Sequence, residues 1–76
     1  MSFRDQLKAD LKVDRYTLTH LAHDANITNS YLSRIIKGQY VPSVHVATCL
    51  ALAATRLTNK TYTPDMFMTI TKELHQ

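Results

Sequence analysis

The stretch TNSYLSRIIKG, from Thr28 to Gly38, places hydrogen-bonding side chains at Asn29, Ser30, Ser33 and Arg34 and holds no acidic residue. On a helix, 29 pairs with 33 and 30 with 34, each one turn apart, so all four share one side. Such a set suits polar recognition of fixed donors and acceptors. An Arg fork donates two hydrogen bonds to guanine, an Asn pairs with adenine, and a Ser hydroxyl serves either role. That holds if the helix enters a DNA major groove with its first turn foremost. The plainer alternative is a solvated helix face, and the surrounding residues favour recognition.

Thr17, Thr28, Tyr31, Lys37, Gln39 and Tyr40 flank that face as candidate phosphate contacts. Helix N-termini at Thr17 and Thr28 aim free N–H groups at anions. Amides and side chains in the loop after the helix can do the same. Each also has a simpler role. Thr17 and Thr28 suit N-caps, Tyr31 suits a half-buried core position, and Lys37 suits a charge near a helix C-terminus. Capping and phosphate contact are compatible at one residue.

Other chemistry finds little support. His20 and His23 are three apart, but no carboxylate or Cys completes a metal site around them or around His45. As surface histidines near phosphates, they would raise affinity for a polyanion below about pH 6.5. Cys49 sits on an apolar helix side, as a small buried hydrophobe does. No Ser–His–Asp set, paired carboxylates or Gly-rich phosphate loop can be assembled. An enzyme and a cofactor are therefore not expected.

The elements that must position these residues are all helical. Ser2 to about Lys12 predicts a first helix with a capping-box-like Ser2–Asp5 start; Phe3, Leu7 and Leu11 form its stripe and Val13 closes its end. Lys8 and Lys12 face outward, and Asp14-Arg15 links to the next helix. Thr17 caps the second helix, with Tyr16 and Leu21 at hydrophobic-staple spacing and Leu18, Leu21, Ala22 and Ala25 on one face. Asn26 stops it in a left-handed conformation, and Ile27 plugs the corner. Thr28 caps the third helix, Leu32, Ile35 and Ile36 form its inner face, and Gly38 ends it. Pro42 blocks continuation. Ser43 caps a fourth helix, Val44 to about Leu57, lined by Val46, Cys49, Leu50, Ala53 and Leu57; the run Ala51-Leu52-Ala53-Ala54 makes it central. Thr58 to Thr61 is a polar break. Thr63-Pro64-Asp65 starts a fifth helix reaching about Leu74. Its Met66, Phe67, Met68, Ile70 and Leu74 exceed one apolar stripe.

The ordered set Thr17, Leu21-Ala22, Ile27-Thr28, Ser30 to Ile35, Gly38, Pro42-Ser43 and the apolar helix from Val44 resembles the helix-turn-helix of the phage repressor and Cro family, a xenobiotic-response-element-like group. The resemblance covers about Tyr16 to Ala53. It implies a lambda-repressor-like five-helix domain in which the positions of Asn29, Ser30 and Arg34 read bases and that of Tyr31 packs beside the sugar-phosphate strand. Three positions depart from the family. Asn26 stands where Gly is frequent. Leu18 replaces a Gln that touches phosphate or a base, so that contact is lost or moved. Ile36 replaces a Glu, which points to extra burial or a partner surface.

Seventy-six residues amount to one domain, residues 1–76, and 45% apolar residues with a single Gly argue for an ordered helical fold. A chain of this size buries only about 60–65% of its unfolded surface, so association would help it. The net charge of +3 is mildly basic and says little alone. No run is apolar enough for a membrane span, the N-terminus has no signal-like core, and the single Cys suits a reducing compartment. A cytoplasmic protein of the bacterial cytosol or nucleoid is expected.

The expectation is an all-α, sequence-specific double-stranded DNA-binding transcriptional regulator, a small repressor of Cro type from a phage or mobile element. It would act as a homodimer on an inverted-repeat operator, with Met66, Phe67 and Ile70 at the dimer contact. The alternative is a protein-binding module, such as an antitoxin or a phage-encoded inhibitor of a host protein, whose apolar last helix occupies a partner's groove.

Overall fold

The structure, a computed structural model, describes residues 3–70. Within them run five helices and no strand: α1 (Phe3–Val13), α2 (Leu18–Asp24), α3 (Asn29–Ile36), α4 (Val44–Thr58) and α5 (Pro64–Met68). The predicted Ser2 start and the predicted extension of the last helix to Leu74 lie outside the described residues.

Each boundary follows from a local signal. Thr28 Oγ1 accepts from the Tyr31 N–H at 3.1 Å, and Ser43 Oγ accepts from the Val46 N–H at 3.2 Å, satisfying donors that a helix start leaves open. At α2 the cap is a pair. The Thr17 N–H donates to His20 Nδ1 at 3.0 Å, so His20 occupies the capping-box position that Glu or Gln more often fills. The helix ends are equally local. Arg15, Asn26, Gly38 and Asn59 all take positive φ, between 58° and 76°. After α3 the Gly38 N–H reaches back to the Ile35 carbonyl at 3.0 Å and the Gln39 N–H to that of Arg34 at 2.9 Å, a Schellman closure. The same closure follows α2 at Asn26-Ile27 and α1 at Arg15-Tyr16. Asn tolerates the left-handed region, whereas Arg bears its steric cost.

The α4 helix is central and packs against α1, α2 and α5. Ala47, Leu50, Ala51, Ala53 and Ala54 are buried along it, and the small alanines let neighbouring helices approach closely. Leu7, Leu11, Leu21, Leu32, Ile35 and Phe67 close the core around them. Leu52 points the other way and is 58% exposed, so α4 is central without being buried all round.

Two expectations about apolar residues are corrected. Val13 does not close the end of α1. It is 77% exposed, because the chain reverses at Arg15 and Tyr16 packs against the core instead. Phe67 and Ile70 are not available as a dimer contact. Phe67 is fully buried and Ile70 nearly so, one helical turn apart on the inner side of the last segment. Phe67 meets the Phe3 ring edge-on at 5.1 Å. Of the three predicted contact residues only Met66 reaches the surface, at 37% exposure.

Polar ties hold the elements in register. Asp10, 6% exposed, accepts from Lys60 Nζ at 2.7 Å, from Gln6 Nε2 at 2.9 Å and from the Tyr62 hydroxyl, joining α1 to the segment between α4 and α5. That segment is anchored again where the Tyr62 N–H donates to Thr55 Oγ1 at 3.0 Å. Asp24 at the end of α2 receives two bonds from Arg56 of α4, at 2.6 and 3.2 Å. No helix among the described residues is long and apolar enough to cross a membrane.

Candidate functional site

Helix α3 divides its side chains sharply. Leu32, Ile35 and Ile36 are buried, while Asn29, Ser30 and Arg34 are exposed. Ser33 is half-buried, and so stands lower on the exposed side than its three companions. The burial of Ile36 resolves the choice raised by its apolar character, since it belongs to the core and not to a partner surface. The seat of α3 is set from both ends, by the Thr28 cap and the Gly38 closure, and from the side by α2.

Of the flanking residues, Thr28, Tyr31 and Tyr40 gather beside Arg34, Thr17 borders a separate groove, and Lys37 and Gln39 follow at the end of α3. Thr17, Thr28, Lys37, Gln39 and Tyr40 are exposed and Tyr31 is half-buried. Tyr31 and Tyr40 meet edge to face, ring centroids 5.2 Å apart and planes at 87°, which fixes both rings beside Arg34. Burial raises the Tyr31 phenol above its ordinary pKa, and the neighbouring Tyr40 adds to the shift, so Tyr31 stays a neutral hydrogen-bonding hydroxyl. Thr28, Ser30, Tyr31, Arg34 and Tyr40 together line an open recess of about 320 Å³.

A second groove, about 510 Å³, lies along the opposite flank of α3. Asn29 and Ser33 form one wall, Lys8 and Lys12 of α1 the other, and Leu11, Tyr16, Thr17, Leu18 and Thr19 complete it. Thr19 Oγ1 donates to Asn29 Oδ1 at 3.4 Å, a long bond that steadies Asn29 from α2. Lys8, Lys12 and Thr19 had not been predicted as site residues. The four-residue interval between the lysines is legible in the chain, but their position opposite Ser33 depends on how α1 packs.

The charges near this face favour an anion. Among the described residues, the ion pairs are Arg56–Asp24 and Lys60–Asp10, both away from α3, so Arg34, Lys37, Lys8 and Lys12 keep their charge unpaired. The histidines take other duties or none. His20 is committed to Thr17 and packs edge-on to Tyr16 at 5.5 Å, while His45 Nε2 lies 3.9 Å from the half-buried Cys49 Sγ. His23 is exposed near the α2–α3 turn and lines a shallow recess with Asn26, Ile27, Thr28 and Tyr31.

The chain matches no protein-family model, no curated protein and no solved structure.

Proposed function

We propose that the protein is a sequence-specific double-stranded DNA-binding regulator, with α2 and α3 as a helix-turn-helix of phage repressor or Cro type. One observation carries this reading. Helix α3 is seated by three buried aliphatic residues while Asn29, Ser30 and Arg34 project into solvent with no acidic residue beside them. Arg34 is suited to a bidentate bond with guanine, and Asn29 and Ser30 to adjacent base edges. Ser33, set lower, takes a base or sugar contact at close approach. Thr28, Tyr31, Lys37, Gln39 and Tyr40 hold one phosphate strand, and Thr17 offers a helix start to the backbone.

The molecule measures 32 × 26 × 21 Å, less than one turn of B-DNA, about 34 Å, so a single copy covers one half-site. A homodimer would place two such copies on the two halves of an inverted repeat. Its contact is drawn from exposed apolar residues such as Val41, Val44, Leu52 and Met66. A-form RNA is disfavoured because its deep, narrow major groove does not admit a helix.

Selection of bound duplexes from a random pool tests the reading. The expected result is an enriched inverted repeat with half-site centres about one helical turn apart. A pool that shows no enrichment at low salt overturns it.

A further inference from the structure

Two troughs run beside α3, one on each flank, and helix geometry dictates the split. Successive residues turn by about 100°, so Asn29 and Ser33 follow one line and Ser30 and Arg34 the next. The second line borders the Tyr31–Tyr40 recess, and the first borders the groove walled by Lys8 and Lys12. A B-DNA major groove, about 12 Å wide, has a phosphate strand on each side, so a helix lying in it faces a strand on both flanks. The Tyr40 flank has its phosphate contacts in the reading above. The opposite flank is the one still without cations assigned to it, and two lysines stand there.

Those lysines are one turn apart on α1, exposed, and unpaired among the described residues. Leu11, Leu18 and Tyr16 give the same groove an apolar lining, and Thr17 and Thr19 line it with them. Cations beside an apolar lining match a nucleic-acid strand, whose phosphates are charged and whose deoxyribose edges are not. The Asp10 cluster locks α1 in rotation, so Lys8 and Lys12 are held toward α3 and not left on an independent surface.

We propose that Lys8 and Lys12 bind phosphates of the second DNA strand, making α1 a contact element for the backbone opposite the strand held by Lys37 and Tyr40. The proposal rests on α3 lying in a major groove. It adds a residue set from outside the two-helix motif, and it clamps the reading helix from both sides.

The test uses the full chain and a fluorescein-labelled random-sequence duplex, followed by anisotropy over a series of KCl concentrations. Phosphate contacts dominate such non-specific binding, and each adds about 0.9 to the slope of log affinity against log salt. Replacing both residues, Lys8→Ala with Lys12→Ala, is expected to flatten that slope by about 1.8 and weaken binding about tenfold or more near 0.1 M salt. Lys8→Arg with Lys12→Arg should restore both. An unchanged slope with affinity within about twofold of the parent overturns the proposal while leaving the α3 reading intact, provided that Lys37→Ala still weakens binding. If the unmodified protein fails to bind any duplex, the α3 reading falls and this proposal with it. Thermal melting establishes that the variants fold. Should the double alanine variant not fold, Lys8→Gln with Lys12→Gln carries the same test.

Discussion

The Tyr62 hydroxyl donates to the Asp10 carboxylate, joining the first helix to the segment that precedes the last. Lys60 and Gln6 complete the shell around that carboxylate, so a buried charge is matched on every side. The cluster sits away from α3 yet governs where α1 lies, and α1 carries Lys8 and Lys12. Removing the phenol hydroxyl with Tyr62→Phe should cost about 1.5–3 kcal/mol, the range for a hydrogen bond to a charged group. Urea unfolding measures it. A loss below a few tenths of a kcal/mol would mean that the carboxylate finds water instead.

The same cluster sets the pH dependence. The Lys60 ammonium foremost, then the Tyr62 hydroxyl, hold Asp10 below its ordinary pKa against the opposing effect of burial. A carboxylate depressed in the folded state binds fewer protons there than in the unfolded chain. Its contribution is therefore full above about pH 4 and drains away as pH falls through the folded value. The Tyr62 phenol moves the other way, raised by burial and then by Asp10. The unfolded chain then loses its phenol proton first, and stability falls above about pH 10. Melting temperatures across pH should show both edges, and Asp10→Asn should blunt the acid one.

Phe67 belongs to the core, so its truncation is a folding lesion. Phe67→Ala should cost about 3–5 kcal/mol, a large share of the stability of a domain this small. Chemical denaturation reads this directly. If the variant keeps its stability but sediments as a lighter species, Phe67 lies at an interface after all. Leu52→Lys is the cleaner probe of the proposed homodimer, since an exposed position can change charge without disturbing the core. It should lower operator affinity while the melting temperature holds.

Arg34→Ala and Lys37→Ala separate base reading from backbone contact. The first should lose about 1–3 kcal/mol on the selected site and relax preference at one base pair. The second should weaken all duplexes alike and flatten the salt slope by about 0.9. Competition with single-base-pair variants of the site distinguishes the two. Equal discrimination at every position by the Arg34 variant would remove that residue from the reading set.

Arg15 has φ 63°, a left-handed conformation without the side-chain chemistry that helps Asn. Arg15→Gly should stabilise the fold by about 0.5–1 kcal/mol, the relief of the steric cost outweighing the greater entropy of a glycine in the unfolded chain. A rise in melting temperature is the expected sign. A fall would show that the Arg15 stem packs usefully over the end of α1.

The start of α2 offers a similar local check. His20→Ala should cost about 0.5–1 kcal/mol because the Thr17 N–H loses its acceptor, and His20→Glu should hold the cap. Equal melting of the parent and the alanine variant would assign that bond no weight.

Much of this architecture is legible along the chain because helix starts and stops are local events. Thr17, Thr28 and Ser43 precede helices, Asn26 and Gly38 end them in left-handed backbone, and Leu32, Ile35 and Ile36 share the face that is buried. These features depend on residues within about one helical turn, and such short-range preferences survive in any compact arrangement. What the last helix does with Phe67 and Ile70 was not legible, because an apolar excess fits a covered core and a partner surface equally well.

The chain order alone determined five helices, the caps at Thr28 and Ser43, and a third helix with a polar side free of acids. Only the packed molecule decided that Asp10 would be buried against Lys60 and Tyr62, that Phe67 would fill the core, and that Lys8 and Lys12 would stand across a groove from Asn29 and Ser33. The reason is separation. Partners tens of residues apart meet because whole helices dock, and docking is chosen by summed burial over many side chains, which no local pattern records.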